Sequence, residues 1–193
     1  MSEPLTTEAI LDTAEKVLRR FGTQKATVVD VARQLNVSHG TVYRHFSSKE
    51  ALRRAVAKRW LHRVSSPLAE IPHQSSSAAA RLHTWFQTLM TIKQTKALED
   101  PELFNVYTEL AEEAVDIVQA HVEELVKQIA EIVEYGISLN EFKAGDARRL
   151  ASAIFVSTAK FHHPFHAREW ETPRINEEFE SVWELILSGI AEK

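Results

Sequence analysis

The stretch that decides the fold is TVVDVARQLNVSHGTVYRHFSS, residues 27–48. Thr27 can cap the backbone N–H three residues on while Asp30 reaches back to the threonine N–H, an arrangement known as a capping box. Asn36 tolerates the left-handed conformation that often ends a helix, and Ser38 can cap the helix that follows. The stretch therefore predicts two short helices joined by a tight turn, which is the helix-turn-helix arrangement.

The second of these helices, predicted over residues 39–46, has a polar and basic outer face, because Val42 and Phe46 fall together on its inner face. A helix that reads DNA needs small residues for close approach, donors for base edges, and hydroxyls and cations for phosphates. We therefore predict DNA contacts from Thr27, Ser38, His39, Gly40, Thr41, Tyr43, Arg44, His45 and Lys49. The alternative is a small helical core element with an incidentally basic face, since short patterns of this kind also occur by chance.

The charge of the chain is unevenly distributed. The formal net charge is −4. Residues 1–63 hold 12 Lys and Arg against 6 Asp and Glu, a net +6, whereas residues 64–193 hold 11 against 21, a net −10. A basic region attracts phosphates and an acidic one repels them, so the basic third that contains the predicted motif is the part suited to DNA.

The composition excludes several classes of protein. With 44% hydrophobic and 26% charged residues in a chain of 193, we expect a globular protein rather than a disordered one. The 5 glycines, 6 prolines and long runs of helix-forming residues predict an all-α fold. The chain has no cysteine, which excludes disulfides and thiolate metal sites. Since neither a signal-peptide pattern nor a membrane-spanning apolar run is visible, we expect a cytoplasmic protein that does not enter a membrane.

A longer segment carries a family resemblance. Phe21 and Gly22, followed by TVVDVARQLNVSHGTVYRHFSSKEAL over residues 27–52, resemble the DNA-binding domain of the TetR family of transcriptional regulators. The resemblance covers about the first 60 residues. It implies a three-helix helix-turn-helix domain over residues 1–63 and a larger helical domain for effector binding and dimerisation over residues 64–193, with about nine helices in all.

The resemblance also implies a function. We expect a homodimer, paired through its last two helices, that represses transcription from a near-palindromic double-stranded DNA operator and is released by a small-molecule effector. A second hypothesis is a DNA-binding protein of the same fold that responds to no ligand. No nucleophile, phosphate-binding or metalloprotease motif is present, so we expect no enzymatic activity and no required cofactor.

Several local signals predict helix boundaries. Ser47 and Glu50 have capping-box spacing at the start of a fourth helix. Asp100 followed by Pro101 predicts another helix start, and the pattern shows no clear break between that helix and the long one that runs to residue 139. Further helices are predicted over residues 147–161 and from Thr172-Pro173 onward.

The effector would bind among the helices of the larger domain. Pockets between helices are lined by large apolar and aromatic side chains, although such residues at helical spacing also form plain core. The candidates are Trp85, Phe86, Met90, Phe104, Tyr107, Tyr135 and Phe155.

The nine histidines suggest an alternative effector, a divalent metal ion. His162, His163 and His166 are close in sequence, and His163 and His166 could join His121 and a carboxylate, either Glu113 or Asp116, as ligands of a metal-sensing regulator. The simpler interpretation is that histidines near the end of a helix interact with its dipole and cap its carbonyl groups.

Overall fold

A computed structural model describes residues 5–192, and the helical elements account for most of them. Ten α-helices follow one another along these described residues: α1 (Thr7–Lys25), α2 (Val28–Gln34), α3 (His39–Tyr43), α4 (Lys49–Ser65), α5 (Ala78–Glu99), α6 (Pro101–Glu113), α7 (Val115–Ser138), α8 (Ala147–Ser157), α9 (Ala159–His162) and α10 (Ile175–Ile190). Short 3₁₀ helices lie at Ser66–Leu68, Ile71–His73 and Pro164–Glu169. The predicted all-α class is confirmed. No helix within residues 5–192 is long and apolar enough to span a membrane.

The local signals around the turn between α2 and α3 are confirmed. Thr27 Oγ1 accepts from Asp30 N (3.2 Å), and Asp30 Oδ2 accepts from Thr27 N (3.1 Å), which completes the capping box. Asn36 has φ of +56°, and Ser38 Oγ accepts from Thr41 N (3.2 Å) to cap α3. Residues of this stretch therefore fold as their own side-chain chemistry predicts.

Two boundaries in this region differ from the prediction. The regular part of α3 ends at Tyr43 rather than at residue 46, because His45 N bonds to Val42 O three residues back and tightens the last turn. At the start of α4, Ser48 Oγ accepts from Ala51 N (3.0 Å), so the cap is Ser48 and the predicted cap at Ser47 is wrong.

The structure divides into two compact units. The first comprises the described residues up to His62 together with Asp100–Gln119, and the second comprises Arg63–Glu99 with residues 120–192. Packing thus assigns α6 to the same unit as α1–α4. The functional division at residue 63 stays a prediction.

The first unit is held together by an aromatic contact and several ion pairs. Trp60 of α4 stacks on Tyr107 of α6, with ring centroids 4.8 Å apart. Phe104 meets the same indole edge-on. Arg53 of α4 lies 2.6 Å from Glu113, and Thr23 Oγ1 donates to Glu109 Oε2 (2.5 Å). These contacts fix α6 against α1 and α4, the two helices that flank the predicted DNA motif.

The second unit has an apolar core in which α5 and α7 approach closely. Leu82, Trp85, Phe86 and Leu89 of α5 are completely buried. At Gly136 of α7, an added Cβ would lie 2.3 Å from the Phe142 ring and 2.8 Å from Ala78 Cβ. Only glycine leaves room for this approach.

Three helix boundaries of the larger predicted domain differ from the sequence predictions. A break at Ala114 (φ −112°, ψ 54°), which the pattern did not reveal, separates α6 from α7. The predicted helix over residues 147–161 is interrupted at Thr158, whose Oγ1 bonds to the carbonyl oxygens of Ile154 and Phe155 and so competes with the helix. Thr172 Oγ1 donates to Glu169 O, closing the preceding turn, and α10 begins at Ile175.

Candidate nucleic-acid interface and buried histidine cluster

The outer face of α3 carries a hydrogen-bonded chain of three predicted DNA-contacting residues. Ser38 Oγ lies 2.9 Å from Thr41 Oγ1, and Arg44 Nη2 donates to the same Thr41 oxygen (3.2 Å). Val42 and Phe46 are buried beneath them, as predicted from their spacing. The capped turn and the buried pair therefore hold the hydroxyls and the guanidinium on the exposed side of a short helix.

Two aromatic rings extend this surface. His39 and Tyr43 are in edge-to-face contact, with ring centroids 6.3 Å apart, and 43% of Tyr43 is exposed. His45 is also exposed, and its Nδ1 lies 3.4 Å from Thr7 Oγ1 at the start of α1. The three rings thus lie along and just beyond α3.

Thr27 and Lys49, the predicted phosphate contacts at the two ends of the motif, differ in whether their polar groups are already bonded within the protein. Lys49 Nζ donates to Gln24 O (3.3 Å), which positions the ammonium beside the segment that precedes α2. Thr27 Oγ1 donates to Asp30 Oδ2 (2.5 Å), and this hydrogen bond lowers the pKa of Asp30. The Thr27 hydroxyl is therefore engaged within the protein, whereas Lys49 has further donors available.

Gly40 has no role inside the protein that requires glycine. A Cβ added there would meet only Ser38 Oγ, at 3.7 Å, which is ordinary contact. Its φ is not in the left-handed region, because the positive-φ residues of the described chain are Gly22, Asn36 and Asn140. Glycine lowers helix stability by about 1 kcal/mol relative to alanine. Close approach of an outside molecule would explain its presence on α3.

The candidate effector residues are distributed over both units. Phe104 and Tyr107 belong to the first unit, where they pack against Trp60. The others belong to the second unit. Trp85 Nε1 donates to Gln128 Oε1 (3.0 Å), and the Tyr135 ring lies 3.8 Å from the Arg81 guanidinium. Met90 and Phe86 lie on the buried face of α5.

Phe86 and Phe155 lie on either side of His162. The imidazole is 4.6 Å from the Phe155 ring and 6.3 Å from the Phe86 ring. His162 is 2% exposed, and burial together with the charge of Lys93 lowers its pKa to about 3. These aromatic groups therefore surround a neutral histidine.

Two of the histidines proposed as metal ligands have separate partners, and the third is electrostatically influenced by Lys93. His166 Nδ1 lies 2.6 Å from Glu169 Oε1, and His163 Nδ1 accepts from Phe165 N (3.3 Å). Burial and the charge of Lys93 lower the pKa of His121 to about 3. Within residues 5–192 no three His, Asp or Glu side chains are grouped to hold a metal ion.

The carboxylates considered as metal ligands are paired with arginines. Glu113 contacts Arg53 and Asp116 contacts Arg54 in two hydrogen bonds, which lower the pKa of Asp116. The predicted ligand set of His121, His163 and His166 with one of these carboxylates is therefore not assembled, and the metal-sensing alternative gains no support.

Lys93 was not among the predicted site residues. It lies on the apolar face of α5, with 7% of its surface exposed, and burial lowers its pKa to about 8. A lysine at a core-facing position of an otherwise apolar stripe was the available signal, since lysine is almost never fully buried without a partner.

Two family models match the chain. Residues 10–56 match the model described as bacterial regulatory proteins, tetR family, and residues 78–183 match the model described as tetracyclin repressor-like, C-terminal domain. The second match alone covers more than half of the sequence. The chain belongs to the TetR family. No curated protein sequence matches it.

Solved structures show the same fold as this TetR-family chain. One is SmeT, the repressor of the Stenotrophomonas maltophilia multidrug efflux pump SmeDEF, with 16% identity, a TM-score of 0.72, and coverage of 98% of this chain and 92% of that one. A second is the regulator FadR from Bacillus subtilis in complex with stearoyl-CoA, with 21% identity, a TM-score of 0.70, and coverage of 96% and 100%. A regulator from Mesorhizobium loti has 16% identity, a TM-score of 0.75, and coverage of 95% and 96%.

Family membership confirms the resemblance carried by residues 21–52, and with it the prediction of a DNA-binding transcriptional regulator. In this TetR-family chain the matched N-terminal segment contains the capped turn at Asn36 and the Ser38–Thr41–Arg44 chain. The contacts of individual residues with DNA remain predictions.

Proposed function

We propose that this TetR-family regulator is a repressor that binds a near-palindromic operator through α3 and its flanks. The observation that carries the proposal is the Ser38–Thr41–Arg44 chain, which holds two hydroxyls and a guanidinium in fixed positions on an exposed helix face. Side chains ordered before binding lose less conformational entropy when they meet bases and phosphates. In this proposal the protein acts in the cytoplasm, where its operator is.

The operator contact set comprises the residues predicted from the sequence. Ser38, Thr41 and Lys49 supply hydroxyls and a cation for phosphates, and Arg44 supplies a bidentate donor suited to guanine. Gly40 allows the helix to approach the groove. His39, Tyr43 and His45 border this surface, while Thr27 positions α2 through its capping box.

The proposal requires a homodimer, because a helix-turn-helix reads a palindrome through two copies one helical turn apart. Val156 of α8 and Leu185 of α10 are each 72% exposed, so both offer apolar surface that another molecule could cover. Pairing of these helices with a second copy would bury both residues.

A small molecule that binds the second unit releases the operator in this proposal. Two proteins with the same fold support this. The solved structures include FadR with stearoyl-CoA and a SmeT–triclosan complex. Three candidate residues remain in the second unit for this role. The rings of Phe86 and Phe155 lie beside His162, and Met90 follows Phe86 by one turn on the buried face of α5.

Genome-wide footprinting combined with a ligand-dependent melting screen tests the proposal. We expect a small number of palindromic sites, and compounds that raise the melting temperature should also release these sites. Many scattered sites and no releasing compound would instead support the ligand-independent protein of the same fold.

Sedimentation of Leu185→Glu tests the dimer. A charge placed in a helix pair should produce monomers that bind the operator weakly. Leu98→Glu is the matched control, because Leu98 is 60% exposed on α5, outside the last helices. A dimeric Leu185→Glu protein with full operator affinity would exclude this pairing surface.

A further inference from the structure

A buried cation without a counter-ion lies in the second unit. Lys93 is 7% exposed, and among the described residues no acidic side chain contributes to the pKa of its ammonium. Burial lowers its pKa to about 8, so most molecules still carry the charge at pH 7. A buried charge is normally paired, because an unpaired one loses its hydration without a compensating partner.

The titratable groups that the Lys93 charge affects are histidines, not acids. Helix α5 packs on α9 beside Lys93, where Gln94 Nε2 donates to Phe161 O (3.5 Å). Burial and then the Lys93 charge lower the pKa values of His121 on α7 and His162 on α9 to about 3. The same two causes lower the pKa of His163. Half-buried His121 and buried His162 are therefore neutral at pH 7, and the cluster of Lys93, His121 and His162 presents a single positive charge.

One histidine nitrogen in this cluster is buried without a hydrogen-bond partner among the described residues. His162 Nε2 donates to Phe155 O (3.2 Å), which is an acceptor only, so that nitrogen is occupied. His121 Nε2 is buried, and it makes no hydrogen bond within the described residues. A neutral imidazole can donate through this atom. Lys93 and His121 together therefore offer an ammonium and an N–H with no acceptor.

Apolar groups border the same cluster. Met90 and Phe86 lie about one and two helical turns before Lys93 on the buried face of α5, and the Phe155 ring lies 4.6 Å from the His162 imidazole. A molecule whose charged end meets Lys93 would thus have aromatic and aliphatic side chains beside its remaining atoms.

Building on the proposed function, we propose that the effector is an amphipathic carboxylic acid whose carboxylate pairs with Lys93 and accepts a hydrogen bond from His121 Nε2. One ammonium and neutral histidines match the single charge of a carboxylate. A phosphate monoester, with close to two negative charges at pH 7, would leave charge uncompensated in a buried site.

The binding test uses saturated carboxylates of eight to sixteen carbons, with the methyl esters and alcohols of the same chains. Isothermal titration of the full-length protein should show carboxylates binding at least tenfold more tightly than their esters and alcohols. Lys93→Met should lose this preference through at least tenfold weaker carboxylate binding. Lys96→Met, an exposed lysine on the same helix, should behave as wild type.

A second readout follows the lysine itself. In protein labelled with ¹³C at lysine Cε, the Lys93 signal is the one missing from Lys93→Met. A bound carboxylate stabilises the ammonium, so the pKa reported by this signal should rise by at least one unit from about 8. His121→Leu should weaken carboxylate binding while Lys93 still titrates, which separates loss of the donor from loss of the fold.

Each of these results would overturn the inference: equal binding of carboxylates and esters, unchanged carboxylate binding by Lys93→Met, or tighter binding of alkyl phosphates than of carboxylates. Failure of every carboxylate to bind would also overturn it. The proposed function is judged separately by operator footprinting. A neutral compound that releases the operator from wild type and Lys93→Met alike would leave the repressor intact and reject the carboxylate site.

Discussion

Arg44 Nη2 donates a hydrogen bond to Thr41 Oγ1 across 3.2 Å, and Ser38 Oγ lies 2.9 Å from the same oxygen. The Thr41 hydroxyl therefore bonds both to Ser38, which caps α3, and to Arg44, whose guanidinium it orients. The geometry that begins the helix and the geometry that presents the guanidinium are set by the same three side chains.

Arg44→Ala should weaken operator binding by about 1–3 kcal/mol and relax specificity at one base position, because a bidentate contact to a base is lost. Fluorescence anisotropy with operator duplexes substituted at each position measures both effects. Arg168→Ala removes an exposed arginine from the second unit and serves as the control for net charge. An equal loss on operator and scrambled DNA would mean that Arg44 contacts only phosphate.

Lys49→Gln should weaken binding to all sequences similarly and reduce the slope of log K against log salt by about one, because one phosphate contact disappears. Lys58→Gln is the matched control, an exposed lysine on the same α4 helix. Titrations at several salt concentrations give the slopes. If both variants have the wild-type slope, the ammonium that bonds to Gln24 O does not reach the DNA.

Gly40→Ala should change stability and DNA binding in opposite directions. Alanine raises helix stability by up to about 1 kcal/mol, and the added Cβ meets only Ser38 Oγ at 3.7 Å. Operator affinity should nonetheless fall at least tenfold, since the methyl group holds the backbone away from the groove. Urea unfolding measures the stability, and fluorescence anisotropy on the same preparation measures the operator affinity. Unchanged affinity would show that α3 does not approach DNA at this residue.

The sequence predicted the features that depend on neighbouring side chains and missed those that depend on competition or burial. The Thr27–Asp30 capping box and the Asn36 turn are local, and both are confirmed. The N-cap of α4 is Ser48, and sequence could not distinguish it from Ser47 because both serines precede the helix. The interruption at Thr158 was equally hard to foresee, since a threonine within a helix more often continues it.

For the candidate sites too, the sequence predicted local features and missed contacts between distant parts of the chain. Periodicity placed Val42 and Phe46 inside and the DNA-facing residues outside, because α3 has a single neighbouring core. It could not predict that Phe104 and Tyr107 pack against Trp60 in the first unit, whereas the histidine cluster belongs to the second. Nor could spacing along the chain reveal that Lys93 lies near His121 and His162, which come from different helices.

Gly136→Ala should destabilise the protein by about 1–3 kcal/mol, the usual range for overpacking. The new Cβ would lie 2.3 Å from the Phe142 ring and 2.8 Å from Ala78 Cβ, so at least one of them must move. Gly145→Ala is the control, since nothing lies within 4 Å of a Cβ there. Equal unfolding midpoints in urea for the two variants would show that α5, α7 and Phe142 shift without strain.

Stability should fall as the pH decreases from 7 to 5. The pKa values of His121 and His162 are about 3 in the folded protein, against about 6.5 in an unfolded chain, so acid protonates the unfolded state first. Each histidine should then lower the free energy of unfolding by up to about 2 kcal/mol at pH 5. This stability is fully present above pH 6.5 and is lost progressively toward pH 3.

Urea unfolding at fixed protein concentration between pH 7 and 5 measures this dependence. His162→Gln should reduce the slope of the unfolding free energy with pH by about half, because one of two buried histidines is removed. Lys93→Met should also flatten it, since the lysine charge contributes to both low pKa values. His73→Gln, at an exposed histidine, should keep the wild-type slope. If all three variants have that slope, the acid sensitivity arises outside the buried cluster.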